Sequence, residues 1–126
     1  FDWNRVGLDG KPRALHIPQS LASIDFNDFE PGLLPAAFVQ QGVHKVRPLV
    51  HNAFFTVEVH EAAAGVNVPF PPRKMQIIAL LEGRMRLGDG PEALALVKGQ
   101  FCLVPACLAQ VTARAETPAS FLRVEV

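Results

Sequence analysis

A mainly β chain, a jelly roll preceded by a short amino-terminal helix, is the fold class this sequence predicts. Three observations carry it. Phe55, Val57 and Val59 alternate with Thr56, Glu58 and His60, the period of two of a half-buried strand. Several short apolar runs follow one another with turn residues between them, the punctuation of a sandwich or jelly roll. Helical periodicity is confined to one place, where Ile17, Leu21 and Ile24 fall on one face.

The elements follow in order. Residues 15–26 read as the helix, with Pro18 in the first turn, where its missing N–H costs nothing. Residues 25–35 read as a loop, closed by Pro31 and Gly32. The chain divides near residue 41 into a connector with the helix, 1–41, and a β domain, 42–126. After the alternating strand at 55–60, Met75 to Leu81 is apolar except for Gln76 and predicts a buried strand. Gly88, Asp89 and Gly90 make a turn between 84–87 and 93–97, hence a hairpin. Residues 101–104 and 120–126 are the closing strands.

Composition excludes several functions. At 126 residues and 49% hydrophobic, the chain can bury a core and does not read as disordered. Twelve Lys and Arg balance twelve Asp and Glu, so there is no general basic field for a nucleic acid. No apolar run is long enough to span a membrane, and no secretory segment opens the chain. Phe1 rather than Met comes first, which suggests a piece of a longer protein. Cys102 and Cys107 are the only cysteines, so a disulfide scaffold is not implied and the cytoplasm is the simple expectation.

Gly99, five residues, then Pro105 is the frame of the second cupin motif, G-x5-P-x-G-x2-H-x3-N. Its later slots hold Cys107, Gln110 and Arg114 in place of glycine, histidine and asparagine. In the first motif, G-x5-H-x-H-x3–4-E-x6-G, Gly83 fits the closing glycine, Gln76 takes the glutamate slot, and the histidine slots fall within Pro69 to Pro72. Gly65 stands about one place out of frame. The chain thus resembles a cupin-like jelly-roll barrel whose metal ligands have gone. Zinc, iron and manganese need imidazole and carboxylate donors that converge, and no slot supplies one, so no metal and no other cofactor is expected in this chain.

The amino-terminal segment narrows the resemblance. Asp2-Trp3-Asn4-Arg5, Asp9-Gly10-Lys11-Pro12-Arg13, Leu15-His16-Ile17 and Ile24-Asp25-Phe26 resemble the type I mannose-6-phosphate isomerases in their short bacterial form. The segments Asn52 to Glu58, Leu81-Glu82-Gly83, Leu96 to Gly99 and Leu103 to Ala106 are similar to that family's carboxy-terminal strands, so the likeness covers nearly the whole chain. Pro18 and Ala14 depart from it where glutamates are usual, as surface changes on a short helix. The resemblance implies an isomerase of mannose 6-phosphate and fructose 6-phosphate. One zinc, held by glutamine, glutamate and two histidines, polarises the sugar oxygens there while a proton moves between C1 and C2. The family places those ligands in an amino-terminal catalytic domain, and its Tyr-x-Asp-x-Asn-His-Lys-Pro-Glu segment is absent here. The chain is then expected to be the carboxy-terminal portion, inactive alone, with zinc and the catalytic arginine in the missing domain. No catalytic residue is assigned within it.

Candidate residues each have a plainer role. Arg5, Lys11 and Arg13 suit a sugar phosphate by charge, or simply anchor a connector. His16 suits a structural hydrogen bond. His44, His51 and His60, with Glu58 and Glu61, match no zinc spacing, and Glu58 and His60 are expected on a wet strand face. Cys102 and Cys107 lack a C-x-x-C and are expected to be buried as small hydrophobes. Gln110 either donates to a ligand in the barrel or packs at its core or rim. Three classes of role remain open. They are a domain that buttresses the catalytic domain of a parent enzyme, a free-standing metal-free barrel that binds a sugar or other small molecule, and a homodimer joined by jelly-roll edges. The first predicts an orphaned strand at residues 1–5 and an exposed apolar patch around Leu33, Leu34, Ala37 and Phe38.

Overall fold

The computed structural model describes residue 3, residues 5–27 and residues 32–126. The chain forms two compact units, Phe1–Leu33 and Leu34–Val126.

In the first unit a turn at residues 5–13 folds back on itself. Val6 and Pro12 form an isolated bridge, Gly7 N–H donates to the Lys11 carbonyl at 2.8 Å, and Arg13 N–H donates to the Arg5 carbonyl at 3.3 Å. Helix α1 spans Ile17–Ser23, with Pro18 in its first turn as expected. It ends at Ile24, where the backbone turns extended (φ −83°, ψ 127°). The helix is shorter than the 15–26 expected: Ile17 and Leu21 lie on it, Ile24 lies beyond its end, and all three are exposed. Of the expected strand at residues 1–5, residues 1, 2 and 4 lie outside the described residues, and Trp3 sits in a turn.

The second unit is mainly β, ten strands in two sheets. β1 (Val39–Gln41), β2 (His44–His51), β3 (Thr56–Ala62), β5 (Gln76–Glu82), β8 (Phe101–Val104) and β10 (Ala119–Glu125) make a six-stranded sheet of order β1-β2-β3-β10-β5-β8. β4 (Asn67–Phe70), β6 (Arg84–Leu87), β7 (Leu94–Val97) and β9 (Val111–Ala115) make a four-stranded sheet of order β4-β9-β6-β7. Every pairing is antiparallel. The hairpin expected around Gly88 is β6–β7, with Leu87 opposite Leu94 and a short 3₁₀ turn at Gly90–Glu92.

The core lies between the sheets. Val68, Phe70, Met85, Leu87, Leu96, Ala113 and Ala115 from the small sheet meet Ala62, Ile78, Leu80, Val104, Ala119 and Phe121 from the large one. Gly83 turns the chain from β5 in the large sheet to β6 in the small one. Its φ is +85°, and a Cβ there would stand 2.2 Å from the Pro118 carbonyl oxygen, so only glycine fits.

Two strand expectations change. The apolar run of β5 is not buried on both faces, because Gln76, Ile78 and Leu80 point into the core while Met75, Ile77 and Leu81 point out and are exposed. The strand pairs on both sides, yet only one of its faces meets the second sheet. The Glu58–His60 face of β3 is also inverted from the wet face expected. His60 is 1% exposed and directly opposite Phe121, which fixes that face as the interior.

Candidate functional site

The residues that replace the motif's ligands fall on different surfaces. Phe70 is buried and meets Phe121 edge-on, with ring centroids 6.1 Å apart. Pro69 is exposed on the edge strand β4. Gln76 is fully buried, its Nε2 donating to the Pro71 carbonyl at 3.0 Å while its Oε1 has no partner among the described residues. Gln110 is exposed in the loop before β9, outside the interior, and Arg114 is exposed on β9. Cys102 is half-buried against the core, and burial raises its thiol pKa. Cys107 is exposed in the turn after β8, contrary to the expectation of burial. Among the described residues no group of three or more His, Cys, Asp or Glu is placed to hold a metal ion. A tethered amide, a phenyl ring and prolines do not fit the metal that the fold family's motif implies.

The interior holds a polar cluster instead. His44 on β2, Glu58 and His60 on β3 and Arg123 on β10 all point inward. Arg123 donates to Glu58 Oε2 at 2.6 Å, and His60 Nε2 stands 3.2 Å from the same oxygen. The His60 ring lies between two others, 4.9 Å from the Phe121 centroid and 5.1 Å from that of His44. Burial, then the Arg123 charge, lowers the His60 pKa to about 4, and burial followed by Arg123 lowers that of His44. Both imidazoles are therefore neutral at pH 7. His60 Nδ1 and both His44 ring nitrogens are buried without a hydrogen-bond partner among the described residues. Of the three histidines weighed together from sequence, two meet here. His51 instead bonds Thr56 Oγ1 at 3.0 Å. Most of the cluster is enclosed, with Glu58 and Arg123 at 19% and 14% side-chain exposure, and its His44 also borders an open depression.

Two open depressions border other sequence candidates. One, of about 460 Å³, is lined by Gln40, His44, Lys45, Glu61, Ala62 and Ser120 among others. The other, about 370 Å³ within the first unit, is bordered by Arg13, His16, Ile17 and Leu21. Arg5, Lys11 and Arg13 are all exposed on the folded-back turn, which sets the backbones of Arg5 and Arg13 side by side. Lys11 N–H is held by Asp9 Oδ1 at 3.2 Å. Of the expected apolar patch, Leu33, Leu34 and Ala37 are exposed, whereas Phe38 is half-buried with the Arg47 guanidinium 5.4 Å over its ring.

No family profile matches the chain, and no curated protein matches it. Solved structures do. The mannose 6-phosphate isomerase of Bacillus subtilis matches with a TM-score of 0.70 at 16% identity, over 100% of this chain and 39% of that one. An RmlC-like cupin from Shewanella frigidimarina matches at 0.62 and 16% identity, over 71% of this chain and 81% of its own. A cupin superfamily protein from Desulfitobacterium hafniense matches at 0.60 and 13% identity, over 70% and 81%. At such identities the likeness fixes the fold, which is cupin-like, and this chain spans 39% of the isomerase's length.

Proposed function

We propose that the chain is the carboxy-terminal, metal-free cupin portion of a mannose-6-phosphate isomerase, a structural support for a zinc-bearing catalytic domain carried by the rest of the polypeptide. The observation that carries this reading is the outer face of the six-stranded sheet. Val59, Leu122, Ala79 and Phe101 lie in register across β3, β10, β5 and β8, and Val57, Val124, Ile77 and Leu103 form the next row. An antiparallel sheet with one wet face alternates apolar with polar residues, but on β10, β5 and β8 these two outer rows are apolar. Phe101 is 74% exposed, Leu103 57% and Ile77 38%. A sheet of this kind calls for a third layer, and the occupant proposed is the preceding domain of the same enzyme.

The likeness to the Bacillus subtilis isomerase supports that choice, since it runs through this whole chain and leaves most of the isomerase unmatched. The zinc and the proton transfer then belong to the preceding domain. The connector with Arg5, Lys11 and Arg13 anchors one domain to the next, with the substrate's phosphate as the alternative partner of those charges. Two free cysteines suit the cytoplasm.

The test compares this chain with the polypeptide encoded by the whole gene, each supplied with zinc. The whole polypeptide is expected to interconvert mannose 6-phosphate and fructose 6-phosphate, and the 126-residue chain is not. Turnover by the 126-residue chain, or a whole polypeptide inert toward mannose 6-phosphate, overturns the reading.

A further inference from the structure

The outer face of the four-stranded sheet has the opposite character. On β6, Arg84 and Arg86 alternate with buried Met85 and Leu87, so both arginines point outward. On β9, Arg114 stands between buried Ala113 and Ala115 and also points outward. The register sets Arg114 directly opposite Arg86. Like charges directly opposite on paired strands, with Cβ atoms about 5 Å apart, destabilise a sheet. The one carboxylate on the same patch is Glu116, whose Oε1 accepts from Arg86 Nε at 3.1 Å. The side chains of Arg84 and Arg114 make no ion pair among the described residues. The three arginines and Glu116 line an open depression of about 490 Å³, floored by Gly65 and Ala115.

From this placement we infer that Arg84, Arg86 and Arg114 form a binding site for a phosphate group. Three guanidinium forks against one carboxylate leave two positive charges uncompensated, and a phosphate dianion carries the matching charge. Planar N–H pairs meet phosphate oxygens two at a time, which a compact ammonium cannot do. Glu116 holds Arg86 through Nε and leaves its terminal nitrogens free to face the ligand. The formal net charge of the chain is zero at pH 7, so the attraction is local to this face. The inference does not rest on the isomerase reading.

The experiment titrates the 126-residue chain with inorganic phosphate, and separately with glycerol 1-phosphate, against chloride at matched ionic strength. It follows the arginine Nε–H resonances and the thermal midpoint. Saturable shifts at Arg84, Arg86 and Arg114 are expected with phosphate and not with chloride. Tighter binding of the ester than of phosphate identifies a phosphorylated small molecule as the ligand, and equal binding identifies the free anion. Arg84→Gln and Arg114→Gln should each weaken binding about tenfold, the loss of one charge-assisted pair. Arg73→Gln, on the exposed turn between β4 and β5 and outside the lining of the depression, should leave it unchanged. A phosphate response no larger than that of chloride, or one that survives both Arg84→Gln and Arg114→Gln, overturns the proposal.

Discussion

His60 stacks on Phe121 with 4.9 Å between ring centroids and 9° between planes, at positions that the β3–β10 register places directly opposite. An imidazole in that place is held neutral by burial and by the Arg123 charge, so its proton balance is coupled to folding. In the unfolded chain a histidine titrates near 6.5, whereas folded His60 titrates at about 4. Between these values the unfolded state binds the extra proton, so stability falls as pH falls. It is complete above about pH 6.5 and is reduced by about 2–3 kcal/mol once pH reaches 4. His44 shifts in the same direction. Glu58 faces the same cluster and opposes the loss by favouring the protonated ring. Urea midpoints taken from pH 8 to pH 4 check this, with His60→Phe expected to flatten the profile.

The Glu58–Arg123 pair is mostly buried, at 19% and 14% side-chain exposure. Removing one partner leaves the other charge in the interior. Arg123→Met and Glu58→Met should each cost about 2–4 kcal/mol, while the double variant should recover much of that loss. A double-mutant cycle by chemical denaturation measures the coupling. Additive losses would show that the pair does not act as a unit.

Gly83 and Gly99 have almost the same backbone, φ +85° and +84°, but different neighbours. A Cβ at Gly83 would stand 2.2 Å from the Pro118 oxygen, while one at Gly99 would meet nothing within 4 Å. Gly99→Ala should therefore cost about 1 kcal/mol, the left-handed backbone alone. Gly83→Ala should cost about 3 kcal/mol or more, because the sheet crossing must also shift. Thermal midpoints of the two variants separate strain from clash.

The apolar outer face of the large sheet should govern the behaviour of the chain in solution. Phe101→Lys and Leu103→Lys change exposed side chains, so each should alter folding stability by less than about 1 kcal/mol. Both should reduce self-association of the 126-residue chain, seen by light scattering across a concentration series. An unchanged particle size in both variants would mean that the face is not the sticky surface.

Much of the architecture was legible in residue order. Pro18 and the spacing of Ile17 and Leu21 located helix α1, and Gly88, Asp89 and Gly90 placed the β6–β7 turn, whose backbone demands are local. Four strands were not legible. β1 has only three residues, the inward positions of β9 are the small alanines Ala113 and Ala115, and β2 and β4 contain Pro48 and Pro69, which argue against a strand when seen in isolation. Pro69 is accommodated at an edge, and Pro48 borders a register shift, where a missing N–H breaks no ladder.

Residue order alone shows that Pro69, Phe70, Pro71 and Pro72 carry no side-chain metal donor, whatever surrounds them. Only the tertiary structure decided which side of each strand is inside. Alternation shows that a strand has two faces but not which one meets the other sheet, and so residue order does not reveal that Glu58 and His60 face inward. The meeting of Arg84, Arg86 and Arg114 is likewise a product of β6–β9 pairing. A contact across strands so distant in the chain is fixed by register, which no local spacing encodes.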